Sequence, residues 1–243
     1  MSLASVIAYS RTATPTGGTV GEIYGTEHFG MFLYAYMRMS RPATVIELGV
    51  GAATTTAFMA QALKDNQSGR LWCIDDGSAW QDEQLRRRLQ LSLDYEDPTE
   101  GYAEFVTRVL QAHDLSGEAE FVAKTLAPGD YFSTDGDVDL LFSDATSSDS
   151  EGCIDLLRYY LPRMSAFSSI FIDKASTVNH SFLLLEFLVN EVRAGRVPAH
   201  FVSGLPQAEQ RRIWNLVRTC RLSLVHLADT DPGKRNPSQN SRA

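Results

Sequence analysis

Cysteine is scarce in this chain, and the three present, Cys73, Cys153 and Cys220, lie far apart, with none of the close spacings of a metal site. An odd number without regular spacing excludes a disulfide framework, so reduced thiols are expected, each read first as a small buried hydrophobe. Long basic runs are missing as well. Thirty Asp plus Glu stand against 22 Lys plus Arg, a formal net charge of −8. No nucleic-acid partner is therefore expected, because binding a polyanion draws on clustered Lys and Arg. No window holds the roughly 18 uninterrupted apolar residues of a membrane-spanning helix. Met1 to Arg11 also lacks the basic start and long apolar stretch of a signal peptide. A cytoplasmic protein with no membrane partner is expected, and no internal repeat is visible.

What the chain does have is 44% hydrophobic residues over 243 positions, enough for one substantial core. Three parts are expected: a lead-in segment and helix over residues 1–40, a ligand-binding catalytic domain over 41–228, and a disordered tail over 229–243 rich in Pro, Ser and Asn. Thr12 to Gly25, rich in Gly, Thr and Pro, reads as a flexible run before the first regular element. The apolar spacing in Glu27 to Met39 predicts a helix that ends at Arg41-Pro42.

Alternation follows. Strands are predicted at Thr44–Leu48, Leu71–Ile74, Glu120–Ala123, Val138–Phe142 and Ser169–Ile172, with helices at Thr54–Leu63, within Asp82–His113, at Cys153–Met164 and at Val178–Val192. His200–Ser203 and Leu222–Leu227 are strand-like and would close the sheet edge. Runs such as Leu140-Leu141-Phe142 and Ile170-Phe171-Ile172 are apolar at every position, which fits strands covered on both faces. The expected fold is a doubly wound α/β domain, with a mostly parallel, seven-stranded, Rossmann-like sheet and helices on both faces.

The most informative segment is Val45-Ile46-Glu47-Leu48-Gly49-Val50-Gly51-Ala52-Ala53-Thr54, a strand that runs through a glycine turn into a helix. Such turns let a ligand approach bare backbone at the carboxyl edge of a sheet. A dinucleotide would favour glycine at 49, 51 and 54, so that its pyrophosphate sits on the helix N-terminus. Position 54 is Thr, and Glu47 would repel a pyrophosphate while attracting the sulfonium and amino groups of S-adenosylmethionine. Asp75 closes the next strand, where a carboxylate can take both ribose hydroxyls.

With these residues, and with Asp139-Leu140-Leu141-Phe142-Ser143-Asp144, the chain resembles the class I S-adenosylmethionine-dependent methyltransferases, and among them the small-molecule O-methyltransferase-like group, over roughly residues 15–228. The resemblance implies that Glu47, Gly49 and Gly51, with Thr54 beside them, face the methionine part of the donor and Asp75 the ribose. It places adenine near Asp76 and the turn Lys124-Thr125, and Asp144 at the amino end of the donor or at the substrate. Tyr24, in the glycine-rich stretch before the first helix, would cover the donor as part of a lid; a linker of no chemical consequence explains the same residues.

Residues just past the strand ends are the catalytic candidates: Asp144, Asp173, Lys174 and, slightly further on, His180. In metal-dependent members of the family, acidic ligands at two strand ends are followed by an Asn that completes an oxygen-rich Mg²⁺ site. Asp144 and Asp173 match the carboxylates, but Lys174 stands where Asn would, a cation that opposes a metal, and no metal is expected. His180 and His28 are the imidazoles available as a base, though the structural reading is favoured for both: His180 as a helix-start residue near Asn179, His28 as a surface or core histidine.

The expected activity is methyl transfer to oxygen or nitrogen of a small acceptor of secondary-metabolite type. Three alternatives remain open. One is a cyclase that converts the donor to azetidine-2-carboxylate and methylthioadenosine; the others are an NAD-dependent dehydrogenase and a catalytically inactive subunit of the same fold. A homodimer is expected on base rate alone.

Overall fold

Alternating side chains along four strands divide the interior into two cores, one on each face of a central sheet. The computed structural model describes residues 2–15, 17–22, 27–92, 100–127, 129–144, 150–173, 194 and 222–224. Strands β1 (Thr44–Leu48), β2 (Arg70–Asp75), β3 (Ala119–Ala123), β4 (Val138–Ser143), β5 (Met164–Asp173) and β6 (Leu222–Leu224) form one six-stranded sheet in the order β3-β2-β1-β4-β5-β6. All pairs are parallel except β5 with β6.

On one face Val45, Leu71, Cys73, Leu140, Phe142 and Phe171 pack with helices α1 (Leu3–Ser10), α2 (Glu27–Ser40), α3 (Thr54–Asn66) and α5 (Tyr102–Ala112). The opposite face, with Ile46, Leu48, Ile74, Leu141 and Ile170, packs against Leu156, Leu157 and Tyr160 of α6 (Ser150–Tyr160). Helix α4 (Glu83–Ser92) adds Leu89 to the first core. This two-sided burial is the reason the strands read as continuous apolar runs, and the doubly wound, Rossmann-like class expected from the sequence is the one observed.

The strand order reverses between β1 and β4. The chain runs outward through β2 and β3 on one side and through β5 and β6 on the other, which makes the carboxyl end of β1 the switch point where open α/β sheets bind ligands. Packing of α2 on α3 keeps the helix after this point close to the sheet. A side chain at Gly30 would lie 2.3 Å from the buried Phe58 ring, so glycine sets how near the two helices come.

Several expectations are revised. A helix, α1, precedes the segment read as leading into the first regular element. Over residues 12–15 and 17–22 that segment is tied down: an Ala13↔Thr19 bridge and the bonds Val20 N–H to Thr12 O (2.9 Å) and Gly21 N–H to Ser10 O (2.8 Å) hold it, and Val20 is fully buried. The long helical stretch after Asp82 is two helices, α4 and α5.

The helix expected over Cys153–Met164 begins earlier, at Ser150, and gives way to a 3-10 turn at Leu161–Arg163, where Pro162 cannot continue the α-helical hydrogen bonds. Met164 accordingly opens β5. Six strands are found among the described residues against seven expected. The strand expected at His200–Ser203, the helix at Val178–Val192 and the tail at 229–243 lie outside them. The other late strand is found as β6. Among the described residues no helix is long and apolar enough to cross a membrane.

Candidate functional site at the carboxyl edge of the sheet

The turn between β1 and α3 has three left-handed residues at alternate positions: Gly49 (φ 86°), Gly51 (φ 55°) and Ala53 (φ 55°). Glycine adopts this conformation freely, whereas alanine is strained by about 1–2 kcal/mol, so the surrounding structure must hold Ala53 in place. It does so from four directions. Below, Ala53 N–H donates to Val50 O at 2.8 Å. To one side, Asp75 Oδ2 accepts from Val50 N–H at 2.8 Å and, more weakly, from Gly51 N–H at 3.5 Å. From α5 the Tyr102 hydroxyl reaches Gly51 O at 2.9 Å and Asp75 Oδ2 at 3.2 Å. From α1 the buried Tyr9 hydroxyl donates to Ala52 O at 2.5 Å.

Glu47 sits beneath this turn. It is fully buried, and its two carboxylate oxygens accept from the hydroxyls of Thr55 and Thr56, each at 2.5 Å. Burial pushes its carboxyl up to about 8; the nearby charges of Asp144 and Asp75 push the same way, against the two threonine bonds. The same surroundings hold the Cys73 thiol far above its ordinary value, through burial first and the adjacent Glu47 second. At neutral pH Glu47 is therefore largely a neutral acid that braces the first turn of α3. This differs from the negative charge expected of it: tertiary packing that a sequence does not display buries the carboxyl and favours its neutral form.

Asp75 closes β2, and its second oxygen, Oδ1, accepts from Gly77 N–H at 2.7 Å. Asp76 is exposed and caps the following turn through Ser78 N–H at 2.8 Å. Asp144 follows β4, half-buried, and its N–H donates to Leu48 O at 2.8 Å, which binds the end of β4 to that of β1. Lys124 follows β3; its N–H donates to Asp75 O at 3.1 Å, while its ammonium pairs with Asp130 at 3.0 Å. Thr125 is exposed beside it, and Thr54, the first residue of α3, is buried with no hydrogen-bond partner for its hydroxyl among the described residues.

Glu47, Gly49, Gly51, Thr54, Asp75 and Asp144 thus gather at one edge around the switch point, with Asp76, Lys124 and Thr125 on the β2 and β3 side. Asp173 is the last residue of β5, the strand next to β4. His28 lies in α2. Tyr24, Lys174 and His180 lie outside the described residues.

Four residues that hold the turn escape a reading of the sequence. Thr55 and Thr56 stand eight and nine residues after Glu47, and the Thr run after the glycines is the one visible hint of them. Tyr9 and Tyr102 reach the turn across sequence separations of 43 and 51 residues, and nothing local marks either.

The two carboxylates beside the glycine turn, Asp75 and Asp144, suit a ligand rich in hydroxyl and ammonium donors, whereas the buried, neutral Glu47 braces the turn from beneath. The two carboxylates oppose a polyphosphate. The fold is an α/β domain of the doubly wound type, with the glycine turn at the switch point of its sheet. Residues 46–175, more than half of the sequence, match the family described as a methyltransferase domain, and the chain belongs to that family.

Among solved structures, the chain is similar to the O-methyltransferase TomG from Streptomyces achromogenes, involved in tomaymycin synthesis, in complex with SAM; identity is 18%, over 70% of this chain and 69% of that one, with a TM-score of 0.44. It is also similar to an SAH-bound methyltransferase from Podospora anserina, at 13% identity over 70% and 61% of the two chains and a TM-score of 0.46. An O-methyltransferase from Bacillus cereus in complex with SAH matches at 13% identity over 68% and 69%, with a TM-score of 0.44. No curated protein matches the sequence.

Proposed function

We propose that this chain transfers the methyl group of S-adenosylmethionine to an oxygen or nitrogen of a small molecule, without a resident metal. The observation that carries the donor assignment is the pairing of Asp75 with the glycine turn: a carboxylate at the end of β2 set against the backbone amides of Val50 and Gly51. An anion at that place accepts from ribose hydroxyls and repels a pyrophosphate.

When bound, S-adenosylmethionine supplies an electrophilic methyl on a sulfonium. The contribution of the chain is to hold and orient. Gly49 and Gly51 leave the backbone open to close approach, Asp75 accepts the ribose, and the half-buried carboxylate of Asp144 faces the amino end or the acceptor. Displacement at carbon needs the acceptor in line with the breaking bond, so positioning supplies most of the rate, and a hydroxyl acceptor also needs a group to take its proton. Asp144, Asp173, Lys174 and His180 are assigned to that end of the site. Absence of a metal rests on Lys174 following Asp173, where a cation would oppose a divalent ion. The acidic net charge of −8 supports a small acceptor over a nucleic acid.

Calorimetry tests the reading. Wild-type protein is expected to bind S-adenosylhomocysteine and not NAD, and Asp75→Asn to weaken that binding by about 10- to 100-fold, the loss of charge-assisted hydrogen bonds. Binding of NAD alone, or an Asp75→Asn variant with wild-type affinity, overturns it. Mass spectrometry of products from labelled donor, with candidate acceptors and with EDTA, then identifies the reaction and its metal requirement.

A further inference from the structure

A buried acid with no cation of its own lies beneath the glycine turn. Glu47 is fully buried, its oxygens bond the hydroxyls of Thr55 and Thr56, and no Lys, Arg or His forms an ion pair with it among the described residues. The groups packed around it add no positive charge. On β2 its register partner Cys73 presents a thiol, Asp75 at the end of β2 and Asp144 after β4 are acids, and α3 presents the two threonines. Tyr9 from α1 and Tyr102 from α5 reach the turn as hydroxyl donors. A buried carboxyl without a counter-ion keeps its proton at neutral pH, in line with its rise to about 8.

The threonines suit both states of this acid. A hydroxyl donates and accepts, so the pair can take the bond of the carboxyl proton or give two bonds to the anion, and ionisation needs no movement of side chains. What the anion lacks is a positive charge nearby. Of the two ligands that occupy the site in a turnover, only the donor carries a fixed one, on sulfur; S-adenosylhomocysteine is a neutral thioether and otherwise the same molecule. A cation seated at the carboxyl edge favours the ionised form of a carboxyl beneath it, and across buried protein the effect is weakly screened.

We propose that Glu47 distinguishes the donor from its demethylated product by charge: it is a neutral acid in the empty site and with the thioether, and it gives up its proton to solvent when a sulfonium is seated above the turn. This rests on the donor reading above and adds to it a specificity residue that acts from beneath the backbone. Once the methyl group has left, Glu47 takes a proton back from solvent and no longer attracts what remains, which favours exchange of product for fresh donor. The sign follows. Ionising Glu47 opposes donor binding at low pH, so affinity for the donor rises with pH and levels off above about 8.

Calorimetry with S-adenosylmethionine and S-adenosylhomocysteine at pH 6, 7.5 and 9, in two buffers of different ionisation enthalpy, tests it in wild type and in Glu47→Gln. From pH 6 to 9 the ratio of donor to thioether affinity is expected to rise about tenfold more in wild type than in Glu47→Gln, the effect of moving one carboxyl by about one pH unit. The amino groups of the ligands titrate alike in both experiments, so the difference between the proteins reports Glu47 alone. At pH 7.5, after correction for the amino group of each free ligand, wild type is expected to release about half a proton more on binding the donor than on binding the thioether. Melting curves of the ligand-free proteins check the fold of the variant, and the wild-type proton count decides the matter without it. Equal proton release for the two ligands, or a ratio that changes with pH alike in both proteins, overturns the role of Glu47 while leaving the donor reading intact. Failure of wild type to bind either ligand overturns the donor reading, and this inference with it.

Discussion

Glu47 shows how burial changes what a residue does. Its carboxyl is raised from 4.5 to about 8 by desolvation, with Asp144 and Asp75 adding to the shift. A group held protonated by the fold contributes stability that is full below its unfolded value, near pH 4.5, and declines as pH rises toward 8, by about 1.4 kcal/mol per pH unit across that window. Glu47→Gln, neutral at every pH and close in shape, is expected to remove that decline. Urea unfolding of wild type and variant at pH 5, 7 and 9 measures it; parallel curves would show that Glu47 is ionised in the folded protein. The acid was legible in the sequence as part of the glycine-turn pattern, but its protonation was not. The threonine hydroxyls at 55 and 56 and the neighbouring carboxylates come together only when β1, α3 and β4 are packed.

Among the elements, α1 has the least obvious purpose and a specific one. It packs along α3, and its Tyr9 crosses to the glycine turn, while Ser5 bonds His113 at 2.8 Å and the Tyr9 and His113 rings lie 5.2 Å apart. Burial lowers the His113 pKa and so keeps the imidazole neutral in this contact. Tyr9→Phe would leave Ala52 O, a carbonyl of the strained Gly51-Ala52-Ala53 backbone, without its donor. The expected cost is about 1–3 kcal/mol, that of an orphaned buried acceptor. Denaturant midpoints check the size, and faster amide exchange confined to α1 and residues 49–54 checks the location; global exchange with no local change would deny the clamp. The helix itself was missed because its eight residues carry few of the start and stop signals that mark helices in sequence: the Ser2 side chain makes no cap hydrogen bond, and the first turn has no acidic residue.

For the molecule as a whole, the site lies where the two halves of the sheet diverge, so a ligand seated there contacts β1, β2 and β4 at once. Saturation with S-adenosylhomocysteine at 100 times its dissociation constant is expected to raise stability by about 2.7 kcal/mol. A thermal-shift titration against an equal concentration of NAD reads this directly, and a shift with NAD alone would count against the donor. The alternation of strands and helices, the strands covered on both faces and the glycine turn followed from the sequence, because periodicity and glycine chemistry act within a few residues of the chain, whereas the strand order came from the tertiary structure. β1 was read at its observed limits, Thr44–Leu48, and β2, β3 and β4 to within two residues at each end. Beyond the strand order, what the tertiary structure alone decided is the state of the groups at the site: Glu47 neutral beneath the turn, Asp75 bound to its amides, Tyr9 and Tyr102 clamping it from either side. Hydrogen-bond partners and local dielectric depend on atoms brought together from distant parts of the chain, and no local pattern of residues records that proximity.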